Sequence, residues 1–162
     1  MIPELGHFAL WLALAVSLVL GVLPLAGAQR GRADWMALAR PAANLLFVLV
    51  LIAFASLTAA FVRNDFSVEY VAQHSNTQLP LMYRVAGVWG GHEGSLLLWV
   101  LMLVTWMLGV ARFSRHLPLP VLARILSVMA LVAVGFLLFT LITSNPFERL
   151  FPAPPDGRDL NP

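Results

Sequence analysis

The chain has no cysteine and no lysine; all ten of its Lys and Arg positions are arginine. Without thiols it brings no disulfide, no thiolate metal ligand and no thiol redox chemistry of its own. Charge of either sign is scarce. Only 11% of the 162 residues are Asp, Glu, Lys or Arg, against about 25% in a soluble domain, which needs a hydrated shell. The net charge of +2 is too small to argue for a nucleic-acid partner. Hydrophobic residues make up 60% of the chain, with a mean hydropathy of +0.84. They are gathered into long runs, which excludes a free-standing soluble domain with an apolar core and a polar coat.

Four apolar runs stand out, at about 5–28, 41–62, 88–111 and 123–143. Each is long enough to cross a hydrocarbon core of ~30 Å at about 1.5 Å per residue. In lipid the backbone must satisfy its own hydrogen bonds, so these runs are expected to be helices. The fold class is therefore all-α: a polytopic integral membrane protein with four transmembrane helices. A short ordered outer loop over 63–87 and a proline-rich outer tail over 144–162 complete it. Pro24 should kink or finish the first helix without abolishing it. That first run opens on Glu4, not on Lys or Arg, and outlasts a signal-peptide core of about 7–15 residues, so it reads as a retained span.

Arginine placement suggests the orientation. Arg30, Arg32 and Arg40 lie between the first two runs against a single Asp34, and Arg112, Arg115 and Arg124 lie between the last two with no acid. Positive charge collects in cytoplasmic loops, which puts both of these loops inside. The N-terminus, the 63–87 loop and the tail then face outward, which is the periplasm if the source is a Gram-negative bacterium. Within the outer loop, Asp65-Phe66-Ser67-Val68-Glu69-Tyr70-Val71 alternates polar and apolar residues, the period of a short half-buried strand. A polar turn-forming stretch with His74 and Asn76 follows, and Tyr83 marks the return to the interface.

The segment with most chemical content is Trp89-Gly90-Gly91-His92-Glu93-Gly94-Ser95-Leu96-Leu97-Leu98-Trp99. Ionisable groups in a span cost several kcal/mol unless hydrated or paired, and so face a cavity or a protein interface. His92, Trp99 and Trp106 recur every seven residues and share one helical face, with Trp89 within a turn of it. An aromatic face with a histidine at its outer end suits a planar hydrophobic ligand such as a porphyrin. The plainer reading is that the tryptophans anchor the interface and the His–Glu pair is solvated or bonded to another span. No second histidine sits at helical metal-ligand spacing, so no metal site is assigned. His7 and His74 are weaker candidates, and His116 lies in an arginine-rich inner loop. Arg63, Arg84 and Arg158 could meet a propionate or an acidic partner on the outer side.

Several of these stretches resemble one family. They are Asn64-Asp65-Phe66-Ser67-Val68-Glu69-Tyr70-Val71-Ala72, Ser75-Asn76-Thr77-Gln78-Leu79-Pro80 and the Trp89–Trp99 segment, with Thr143-Ser144-Asn145-Pro146-Phe147 and Gly157-Arg158-Asp159-Leu160-Asn161-Pro162 following in order. They resemble the CcmF/NrfE family, the haem lyase subunits of bacterial cytochrome c maturation. The resemblance implies a larger helical bundle in the bacterial inner membrane, of which this chain is a fragment or one half of a split protein. Family members carry a tryptophan-rich WWD segment and four haem-serving histidines, two of them holding a permanent haem b. None of these matches a position here, so the axial ligands are expected outside this chain, and His92 is not made a ligand by the resemblance.

The implied activity is covalent attachment of haem, delivered by the chaperone CcmE, to Cys-x-x-Cys-His of apocytochrome c. CcmH and associated thiol-handling subunits, the remaining CcmF segment and membrane lipid are the implied partners. Trp89, His92, Glu93 and Trp99 would form one wall of a haem-handling or partner surface, and the loop bearing Asp65, Tyr70, His74 and Asn76 a docking surface. No catalytic residue is assigned. A transporter or proton-conducting subunit, with His92 and Glu93 on a polar path, is the alternative from another class, and a pure assembly scaffold is a third.

Overall fold

The computed structural model describes residues 1–158; Asp159, Leu160, Asn161 and Pro162 of the last family-like stretch lie outside them. The long helices are α1 (Ile2–Arg30), α3 (Ala39–Val62), α6 (His92–Phe113) and α7 (Leu119–Ile142). Shorter helices are α2 (Ala33–Ala37), α4 (Glu69–His74) and α5 (Leu81–Gly87). All four long helices are apolar and long enough to cross a membrane. This is the polytopic all-α architecture that the apolar runs call for.

Pro24 sits inside α1 and is buried, and the helix continues past it to Arg30. Its end comes at Gly31, which adopts the left-handed conformation (φ 69°). In that conformation a glycine carries no Cβ penalty, which is why helices so often stop on one. The chain turns at once into α2, where the Arg32 guanidinium pairs with Asp34 at 2.7 Å and lies over the Trp35 ring. Leu38 then breaks the path between α2 and α3.

α1 packs against α3 and α7, and α6 closes the bundle by packing against the same two helices. Small residues line these seams: Ala9 and Ala13 on α1, Ala43 and Ala53 on α3, Ala130 and Ala133 on α7 are all buried. In lipid there is no hydrophobic drive to join apolar helices, so close backbone approach and interhelical hydrogen bonds do it. One such bond is Ser127 Oγ donating to the Leu20 carbonyl at 2.9 Å. The outer faces stay apolar, with Val19, Leu45, Val48, Val128 and Val132 exposed, as expected where lipid is the solvent.

The loop corrects one expectation. Phe66, Val68 and Tyr70 are buried as the alternation requires, but 65–71 is not a strand. Its single ladder element is the isolated bridge between Val68 and Arg149, flanked by Glu69 N–H to the Glu148 carbonyl and Leu150 N–H to the Ser67 carbonyl, both 2.9 Å. From Glu69 the backbone turns helical. Among the described residues only this short stretch of tail pairs with it, whereas burying Tyr70, Val71 and Ala72 together requires a helical turn. Gln73 Nε2 adds an i,i+4 hydrogen bond to Glu69 at 2.9 Å.

Candidate functional site

The glycine-rich turn before α6 is built on Tyr70. The Tyr70 oxygen accepts a hydrogen bond from Gly91 N–H at 2.9 Å. Its O–H donates between the Gly87 and Val88 carbonyls, at 3.2 and 3.1 Å. One buried phenol thus serves backbone groups on both sides of the turn; the Gly87 carbonyl also takes the Gly90 N–H at 3.2 Å, while the Gly91 N–H depends on the phenol. Burial pushes this phenol up to about 12; the Gly91 N–H opposes that rise, and the nearby Glu93 carboxylate adds to it. The His74 ring lies 4.6 Å from the Tyr70 ring, with Nδ1 3.1 Å from the Tyr70 carbonyl oxygen.

Two of the glycines are demanded by this packing. A Cβ at Gly91 would lie 2.6 Å from His74 Nε2 and 2.7 Å from Tyr70 Cε2. At Gly94 it would lie 1.6 Å from the Val88 carbonyl oxygen and 2.7 Å from Tyr70 Oη. Because Gly90 and Gly91 form the turn, α6 begins at His92, with Gly91 as its N-cap.

His92 therefore opens the helix. Its Nδ1 is 3.0 Å from Ser144 Oγ, and its ring meets Phe139 edge-on at 6.0 Å. The ring is otherwise exposed. Glu93 follows in the first turn, and α6 carries no further ionisable residue before Arg112, so the pair stays at one end of the helix. Trp99 and Trp106 are 60% and 73% exposed and Trp89 is 44% exposed. Trp89, in the turn before α6, and His92 and Trp99, seven residues apart on the helix, are thus all exposed. Such a set can offer an apolar wall to a flat ligand but does not enclose one. The described residues contain no cluster of three or more His, Cys, Asp or Glu able to hold a metal ion.

The remaining candidates knit the cap together. Asp65 accepts hydrogen bonds from Ser67 N–H at 3.3 Å and Ser67 Oγ at 2.5 Å and lies 3.8 Å from Arg149. Arg149 also pairs with Glu4 and bonds Ser67 Oγ, tying the tail to α1 and the loop. Asn76 Oδ1 accepts the Gln78 and Leu79 N–H groups at 2.9 and 3.0 Å, an Asx turn. Asp156 takes the Thr77 N–H at 2.9 Å and the Thr77 hydroxyl at 2.8 Å; these bonds hold its carboxyl below the usual range. Arg158 N–H reaches the Ala72 carbonyl at 2.7 Å, so the tail lies over α4.

Arg84 braces the loop. Its guanidinium donates to the Leu79 and Thr77 carbonyls at 2.9 and 3.0 Å. His7 accepts from Trp11 Nε1 at 2.8 Å and stacks on Phe147. No rare residue type or spacing in the sequence marks Ser144 or Arg149. Ser144 stands 52 positions from His92, and its family-like Thr-Ser-Asn-Pro-Phe context was the one signal that could have found it.

Four apolar spans under a folded polar cap define a polytopic membrane protein, with the candidate Trp/His/Glu segment at the capped end. Residues 89–162 match the family described as cytochrome C assembly protein. Over its full length the chain is 59% identical to the cytochrome c-type biogenesis protein CcmF of Pseudomonas aeruginosa, and 57% identical to that of Escherichia coli. It is 42% identical to the cytochrome c-type biogenesis protein NrfE of Haemophilus influenzae. A solved structure of the cytochrome c heme lyase CcmF superposes on 91% of the chain, with a TM-score of 0.86 and 31% identity. The chain spans about a quarter of the length of these relatives. It belongs to the CcmF family of cytochrome c-type biogenesis proteins.

Proposed function

We propose that this chain supplies the scaffold and one wall of the haem-handling surface of a cytochrome c haem lyase in the bacterial inner membrane, with its folded cap in the periplasm. The observation that carries this reading is the opening of α6: His92 and Glu93 held at the helix start by the Tyr70–Gly91 bond, beside exposed Trp89 and Trp99. The family of the chain supports it, and the arginine-rich loops at the other end support the orientation.

Haem is the substrate, and its flat apolar face suits the exposed indoles. The chemistry of the assembled protein is thioether formation. Each thiol of a Cys-x-x-Cys-His motif adds across a haem vinyl group; an S–C bond forms, the vinyl double bond is lost, and the thiol proton ends on the neighbouring carbon. No net oxidation is required. Both thiols belong to apocytochrome c, in keeping with a chain that has none. CcmE as haem donor and CcmH as thiol-handling partner would approach the cap, whose Asp65, Tyr70, His74 and Asn76 loop is the docking surface. The permanent haem b and its axial ligands belong to segments outside this chain.

The test is His92→Ala in cells, following haem-stained cytochrome c and the membrane level of the variant. Lost attachment at normal level is expected. Normal cytochrome c with altered ion flux would replace this reading with a transporter, and no change in either would leave a scaffold.

A further inference from the structure

Two cavities meet at Arg112, at the end of α6 away from the cap. One, of about 460 Å³, is lined by Arg40 and Asn44 from α3 and by Ala111, Arg112 and Arg115. The other, of about 670 Å³, runs along the last turns of α6 beside Trp106, Leu108, Val110 and Phe113, and is almost wholly apolar.

Charge at this end is unbalanced. The acid nearest in sequence, Asp34, is taken by Arg32, and none of Arg40, Arg112 and Arg115 forms an ion pair among the described residues. Arg40 and Asn44, which line the polar cavity, also each carry a side-chain atom shielded from water without a hydrogen-bond partner: Nε, a donor, and Oδ1, an acceptor. Buried polar atoms are normally satisfied, so two such residues in a cavity lined by three arginines mark a place for a ligand.

We propose that the paired cavities bind an anionic phospholipid. Its phosphate lies among Arg40, Arg112 and Arg115, its headgroup beside Asn44, and an acyl chain follows the apolar cleft past Trp106 and Phe113. Three arginines at the bilayer boundary select a negative headgroup over a zwitterionic one. The two-part shape separates a lipid from free phosphate, which fills the polar cavity and leaves the cleft unused. The site lies at the opposite end from the haem-handling surface and stands whether or not that reading holds.

The test uses the protein purified in detergent and stripped of lipid, titrated with phosphatidylglycerol brominated in its acyl chains. Quenching of tryptophan fluorescence reports binding. Phosphatidylglycerol should bind more than about tenfold tighter than phosphatidylcholine, and Arg40→Gln with Arg112→Gln should weaken it by about fivefold per arginine removed. Arg30→Gln, at the same end but outside the cavity, should leave binding unchanged, and circular dichroism shows that each variant keeps its helices. Equal affinity for the two lipids, or an unchanged double variant, overturns the proposal. So does inorganic phosphate that displaces the lipid at equal concentration, which makes this a free-anion site. Absence of any saturable lipid binding, as when an acidic segment of a longer protein fills the cavity, overturns it too.

Discussion

Replacing Tyr70 by Phe removes one oxygen and leaves the ring. The Gly91 N–H at 2.9 Å loses its acceptor, and the Gly87 and Val88 carbonyls lose a shared donor. An unsatisfied buried donor costs about 1–3 kcal/mol. Ring packing against Phe61 and His74 survives, so the loss should fall in that range and be local to the cap. The variant should also lose an alkaline transition. With its folded value raised to about 12, the Tyr70 phenol contributes stability that is fully present below the unfolded value of about 10. Between about pH 10 and 12 the unfolded chain releases this proton first, and stability falls as pH rises. The full change is roughly 2–3 kcal/mol. Denaturant unfolding in detergent, monitored across this pH window, would measure both effects. A Tyr83→Phe background leaves Tyr70 as the single phenol for absorbance titration. If Tyr70→Phe unfolded like the parent at pH 8 and kept the same alkaline slope, the assignment of Tyr70 as the keystone of the turn would be wrong.

Gly94→Ala sets a methyl against a backbone carbonyl, at 1.6 Å from the Val88 oxygen, so the turn cannot yield by rotating a side chain. We expect a loss at the upper end of about 1–3 kcal/mol together with failure of haem attachment, read by unfolding and by haem staining; a stable, active variant would contradict the packing. Asp156→Ala should release the tail from the loop, since Asp156 holds Thr77 and Gly157. Faster hydrogen exchange at Thr77 and over 150–158 is the readout, and unchanged exchange would argue against the clasp. In the parent, the depressed carboxyl of Asp156 makes the clasp intact above the ordinary aspartate range and lost as pH falls through its lowered value.

Much of the architecture was legible because lipid imposes a simple rule. A run of some 20 apolar residues has few options in a bilayer, and α1, α3, α6 and α7 follow those runs. The geometry of the candidate site was half legible. Trp89, His92 and Glu93 showed in the sequence through rare residue types placed together, but neither the Ser144 partner of His92 nor the role of Tyr70 under Gly91 had a local pattern. The loop misled for a related reason. Alternation at 66, 68 and 70 reports burial correctly, yet two periods agree over so few residues, and strand or helix was decided by the neighbours that Val68 and Tyr70 met.

By itself, the sequence determined that the chain is a membrane protein with four apolar helices, and which ends carry arginine or the Trp/His/Glu segment. Those properties depend on composition and spacing along one stretch of chain. Tertiary structure alone decided that Tyr70 seats the glycine turn, that the tail covers α4, and that Arg40 and Arg112 share a cavity. Each of these joins segments far apart in the chain, and their pairing depends on how four helices pack and not on any local period.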